Sequence, residues 1–140
     1  MEYSIDFSEP ISKMVQRLRA DHRDFRIELI KIEDASEVSS QKAIEMLNKL
    51  REPILQHTVE EEARIMRIIM QKAKEQSEQS IKILQEHKGI INFLEKRIPQ
   101  LEVSPQDIVE DVTKFGDEAR KHFSEEEEIV FPLALKADAL

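Results

Sequence analysis

Two short runs in this chain carry the residue types that hold metal ions. His57-Thr58-Val59-Glu60-Glu61-Glu62 and His122-Phe123-Ser124-Glu125-Glu126-Glu127-Glu128 share the pattern H-x-x-E-E-E. On an α-helix, residues i and i+4 stand one turn apart on the same face, which sets His57 over Glu61 and His122 over Glu126. An imidazole stacked on a carboxylate is a two-toothed clamp for a divalent cation. Glu60 and Glu125, at i+3, are the next candidates, and the other glutamates of each run read as solvated faces. His22 precedes His57 by 35 residues, and His87 precedes His122 by 35. Equivalent positions lie 65 residues apart, and this repeat uses all four histidines of the protein.

The elements that must position these residues are helical. The 140 residues contain 2 Gly and no Trp, against 36% charged and 40% apolar residues, which points to an all-α domain. In the first segment Ile11, Val15, Leu18, His22, Phe25, Leu29 and Ile32 recur at alternating spacings of four and three, a heptad seam with a histidine inside it. A helix start is expected at Ser8, before Glu9 and Pro10. The second seam reads Ala43, Leu47, Leu50, Ile54, His57, Glu61, Ile65 and Ile68, with Pro53 expected to kink the helix or loosen one of its hydrogen bonds. The third reads Leu84, His87, Ile91, Leu94 and Ile98, with Pro99 expected to end it. Ser104-Pro105 then opens the fourth, which reads Ile108, Val112, Phe115, Ala119, His122, Glu126 and Ile129. Pro132 is expected to end or kink that helix, leaving Leu133–Leu140 as a tail. Turns fall in the polar stretches 33–40 and 71–80. The architecture expected is one domain over residues 1–140: an up-down-up-down four-helix bundle with an internal twofold pseudo-repeat, its core about 8–135. Met1–Phe7 reads as an arm, its Tyr3, Ile5 and Phe7 alternating as if to lie against the bundle.

A carboxylate in a core seam must be protonated, paired or bound to a metal, because burying it bare costs several kcal/mol or more. Random placement would put all four histidines on the two seam positions in seven about 1% of the time. A pair of cations shared by His22, His57, Glu61, His87, His122 and Glu126 resolves the conflict, and these donors suit iron, manganese and zinc alike. The twofold repeat makes the simplest arrangement two metals bridged by the two glutamates. It leaves open which histidine of the first and third helices shares a metal with which of the second and fourth.

Composition narrows the partners. A net charge of −8 argues against nucleic acid or an anionic membrane surface. No apolar run is long enough to span a bilayer, and Met1–Phe7 lacks the features of a signal peptide, so a cytoplasmic location is expected. The absence of cysteine rules out disulfides, cysteine-ligated zinc and iron–sulfur ligation by this chain.

With these residues in view, the chain resembles the hemerythrin-like, HHE cation-binding domains from about Ser8 to about Leu135. The motifs that carry the likeness are Asp21-His22-Arg23, the two H-x-x-x-E helices, Glu86-His87-Lys88, and the Glu-rich run ending Ile129-Val130-Phe131-Pro132-Leu133. The resemblance implies a four-helix bundle around two iron ions joined by an oxo or hydroxo bridge, with the six residues above as ligands. It differs from the oxygen carriers of that family at two positions. They have a further histidine where this chain has Ile91, and an aspartate ligand where it has Glu127. The difference points away from reversible oxygen carriage and toward oxygen activation, nitric oxide binding, peroxide chemistry or iron sensing, and the leading reading is a di-iron protein that binds or senses oxygen, nitric oxide or iron. Ferritin-like bundles use Glu-x-x-His, and the positions three before each histidine here are Arg19, Ile54, Leu84 and Ala119, which excludes that pattern. Two other readings stand beside the sensor. One is a di-iron oxidase, peroxidase or nitric-oxide-handling enzyme, although no dedicated acid, base or other catalytic residue is visible. The other is a metal-free or zinc-loaded helical module working through protein partners.

Overall fold

Heptad-spaced aliphatic residues with few breakers between them form four long helices, which a computed structural model describes over residues 3–140. The first helix is Ile11–Ser36. The second runs Ser40–Glu60, passes through a π-helical turn at Glu61–Met66 and continues as Arg67–Lys72. The third is Ser77–Asn92, a π-helical turn at Phe93–Arg97, then Ile98–Val103. The fourth is Ile108–Glu125, a π-helical turn at Glu126–Val130, then Phe131–Asp138. The first helix packs on the second and fourth, and the third likewise on the second and fourth, closing an all-α four-helix bundle. No helix among the described residues is long and apolar enough to cross a membrane.

The connections follow local chemistry. Ser39 caps the second helix by accepting from the Lys42 backbone N–H at 3.2 Å. The turn between the second and third helices falls at Ala73 and the 3-10 turn Lys74–Gln76, inside the polar stretch that announced it. Pro53 sits within the α-helical Ser40–Glu60 without interrupting it.

Several boundaries depart from the sequence expectation. The first helix begins at Ile11 rather than Ser8, because Ser8 donates its N–H and hydroxyl to the Asp6 carboxylate (2.9 and 2.6 Å) instead of capping. Ser104 makes no capping bond either, and a 3-10 turn at Pro105–Asp107 precedes the fourth helix. Pro99 and Pro132 terminate nothing. A proline ring strikes the carbonyl four residues before it, here Glu95 and Glu128, and both lie in π-helical turns. A wider turn displaces that carbonyl and removes the bond the proline could not make, so the helix continues. Leu133–Leu140 is therefore mostly helix, and Ala134 and Ala137 are buried.

Those turns also shift which residues face inward. The first helix, which has none, buries every residue of its expected seam. In the second helix Ile69 is fully buried and Ile68 only partly; in the fourth Val130 is buried and Ile129 is 45% exposed. One extra residue in the wide turn rotates everything after it. In the third helix Ile83 and Ile90 take the inward places expected of Leu84 and Ile91. Adjacent aliphatic pairs satisfied either register, and packing selected one.

The core has two apolar parts. One gathers Phe25, Leu29, Leu47, Ile54, Leu94, Val112 and Phe115. The other gathers Met14, Leu18, Ile65, Met66, Ile83, Val130 and Phe131. Each fully buried aliphatic side chain contributes about 2 kcal/mol. Between the two parts, along every helix, lies the level of the histidines and glutamates.

The arm is pinned to the second helix. The Tyr3 hydroxyl donates to Glu52 at 2.9 Å, Gln56 donates to the Ser4 carbonyl, and Arg64 donates to the carbonyls of Asp6 and Glu9. Phe7 is exposed, contrary to the alternation expected of it. Met1 and Glu2 of the arm lie outside the described residues.

Candidate metal centre

His22, His57, Glu61, His87, His122 and Glu126 occupy one layer of the bundle, each between 0 and 3% exposed. The i+4 stacking forms as the helix dictates: His57 Nε2 lies 3.0 Å from Glu61 Oε2, and His122 Nε2 lies 3.2 Å from Glu126 Oε1. Tertiary packing then brings His22 Nε2 within 3.0 Å of His57 Nε2 and 3.1 Å of Glu126 Oε1. His87 Nε2 stands 3.2 Å from Glu61 Oε1 and 3.4 Å from Glu126 Oε2. The result is two groups of four donors, His22 with His57 and His87 with His122, each sharing both glutamates. Glu61 turns one oxygen to each group. Glu60 and Glu125 lie outside both groups; Glu60 pairs with Arg17, and Glu125 pairs with Lys82.

Four further carboxylates hold the histidines from behind. Nδ1 of His22 meets Glu127 at 2.7 Å, that of His57 meets Asp21 at 2.9 Å, that of His87 meets Glu62 at 2.9 Å and that of His122 meets Glu86 at 2.7 Å. Each such bond fixes the ring and turns Nε2 inward as the free donor. The four acids obey the same 65-residue repeat: Asp21 and Glu86 directly precede His22 and His87, and Glu62 and Glu127 directly follow Glu61 and Glu126. Glu62 and Glu127 are thus more than solvated members of their runs. Their adjacency to the singled-out residues was the available signal.

The layer suits a metal on its own chemistry. Both oxygens of Glu61, both of Glu126 and Nε2 of His87 are buried without a hydrogen-bond partner. Neighbouring donors about 3 Å apart span the edge of an octahedron whose metal–ligand bonds are about 2.1 Å. Without a metal the same crowding holds protons. Burial disfavours the charged form of His57, but Glu61 and Asp21 outweigh it and push its pKa up to about 10. His122 rises to about 9 despite burial, through Glu126 and Glu86. His87 rises to about 12 against burial, through Glu126, Glu61 and Glu62. Burial would raise the Glu126 carboxyl, yet His122, His22 and His87 together hold it well below the usual carboxylate range.

A groove of about 730 Å³ between the first and second helices reaches the layer at His57 and Asp21. Its counterpart on the third and fourth helices is split into a cavity of about 230 Å³ at His122 and Glu86 and one of about 260 Å³ lined by Phe93 and Phe115. On that side Phe93 and Phe115 stack at 4.1 Å where the first face has Glu28 and Leu50.

No match was found among curated proteins or among solved structures. Residues 13–134 match the family model described as the hemerythrin HHE cation binding domain. That span contains both four-donor groups and all four carboxylates behind them, and the chain belongs to the hemerythrin family of HHE cation-binding domains.

Proposed function

We propose that this protein is a non-haem di-iron protein that binds or senses a small ligand such as oxygen or nitric oxide. The observation that carries the reading is the sharing of two fully buried glutamates between two histidine pairs. His22 and His57 would hold one iron and His87 and His122 the other, with Glu61 and Glu126 spanning both. Iron held there supplies redox chemistry and an exchangeable position for a small molecule. Asp21, Glu62, Glu86 and Glu127 keep the four rings aimed, and the apolar parts above and below exclude water. The groove at His57 offers the wider approach for a ligand. Ile91, half-buried, has no donor atom to add, which keeps the two sets of nitrogen donors equal at two each.

Metal analysis of the purified protein tests this, with visible spectra before and after anaerobic reduction and re-exposure to air. The expected result is about two irons per chain and charge-transfer bands that bleach and return. Zinc or no metal, with no iron uptake on reconstitution, would move the function to the helical interaction module. Sustained turnover of peroxide or nitric oxide would move it to the enzyme.

A further inference from the structure

The internal repeat offers a comparison of what surrounds two equivalent ligands. His22 and His87 correspond, and Nδ1 of each meets a carboxylate, Glu127 or Glu62. Beyond that bond the two halves differ. The Glu127 oxygen that meets His22 also accepts from Arg26 Nη1 at 2.7 Å, and Arg26 reaches Ser124 Oγ at 3.3 Å. Phe123 stacks on His22 at 4.4 Å and 22°, and Phe131 stacks on it at 5.6 Å and 20°. These phenylalanines lie eight residues apart on the fourth helix, on either side of its π-helical turn, and both rings lie nearly parallel to the imidazole. The Arg26 guanidinium covers Phe123 at 5.7 Å, and that of Arg19 covers Phe131 at 5.5 Å. Arg19 also donates to the Glu127 carbonyl at 3.1 Å. A column of two phenyl rings, each with its guanidinium, thus stacks on the His22 imidazole. Sixty-five residues away, the counterparts of Arg26, Arg19, Phe123 and Phe131 are Ile91, Leu84, Thr58 and Met66, with neither charge nor ring. Among the described residues, Glu127 is the one carboxylate of the four that an arginine also binds.

We propose that Arg26 makes the two metal positions unequal, so that the iron held by His22 and His57 is reduced first. The inference rests on the di-iron reading above. A carboxylate behind a ligating histidine raises its basicity, and a guanidinium bound to the same oxygen draws that charge away. His22 is then a weaker donor than His87, and two nearby positive charges further favour the lower oxidation state. With iron held there, a single electron from an external one-electron donor would reside on the side held by His22 and His57. Arg26 is a positioning residue in this scheme, acting through Glu127 without touching the metal.

Mössbauer and electron paramagnetic resonance spectra of the iron-57-loaded protein, titrated with dithionite, test it. The natural protein should show two iron environments and accumulate a half-reduced form at one electron per pair. Arg26→Ile copies the counterpart position, and Arg26→Gln keeps a hydrogen-bond donor without the charge. Both should bring the two environments together and lower the equilibrium constant for the half-reduced form about tenfold, from loss of one charge-assisted hydrogen bond. A single iron environment in the natural protein, or an unchanged half-reduced population in Arg26→Gln, would overturn the proposal and leave the di-iron reading standing. Failure of the natural protein to take up iron would overturn both.

Discussion

The first half of the chain and the second carry the same five-residue apparatus and surround it differently. His22, His57, Glu61, Asp21 and Glu62 in one half correspond to His87, His122, Glu126, Glu86 and Glu127 in the other, and the four bonds from histidine Nδ1 to a carboxylate correspond as well. Around them, a charged aromatic column faces side chains with neither charge nor ring, and an open groove faces one split and narrowed by stacked phenylalanines. Buried donors and acceptors admit few substitutes, because each unpaired polar atom costs about 1–3 kcal/mol. Apolar contact is satisfied by many combinations of similar volume. The repeat is therefore strict where polar groups are buried and loose where the neighbours only fill space.

The largest effect should come from treating shared and unshared donors differently. Because each glutamate serves both groups, Glu61→Ala and Glu126→Ala should each abolish binding of both metals, whereas His57→Ala and His122→Ala should each remove about one. Elemental analysis of the four variants checks this, and thermal melting should fall with each metal lost. Equal, single losses across all four would show that the glutamates do not bridge.

Protons come next. His57, His87 and His122 are protonated near neutral pH in the metal-free protein, so a cation must displace them and its affinity should rise with pH. Calorimetry in buffers of different ionisation enthalpy should register protons released at pH 7. For the metal-free fold the sign is opposite. These pKa values lie above the ordinary histidine value, so the associated stability is complete below about pH 6.5 and is lost as pH climbs through about 9 to 12. Urea unfolding at pH 6 and pH 10 should find the metal-free protein weaker at the higher pH. Greater stability at pH 10 would contradict the paired imidazolium layer.

Smaller effects would sharpen the comparison between halves. Asp21→Asn and Glu86→Gln sit at equivalent places and should each weaken metal affinity about 10- to 100-fold, by similar factors. A competition titration with a chelator would reveal any imbalance. The mildest change is Glu28→Phe with Leu50→Phe, which copies the stacked pair of the other face onto the groove at His57. Metal content should stay the same while azide binding, followed by stopped flow, slows. An unchanged rate would mean that ligands enter elsewhere.

Much of this was present in the order of residues. Helical periodicity is local information, so the first seam, the i+4 stacking of His57 on Glu61 and of His122 on Glu126, and the four-helix layout all followed from spacing. Six polar residues at core positions already demanded a common partner. What spacing could not supply were relations between helices, because rotation and offset at a helix contact depend on the whole packed surface. The pairing of His22 with His57, the acids reaching across from Asp21, Glu62, Glu86 and Glu127, and the choice of Ile83 over Leu84 were set there. The wide turns at Glu61, Phe93 and Glu126 belong to the same class. They carry helices past Pro99 and Pro132 and rotate Val130 inward in place of Ile129, a single-residue slip in backbone bonding that side-chain periodicity does not record.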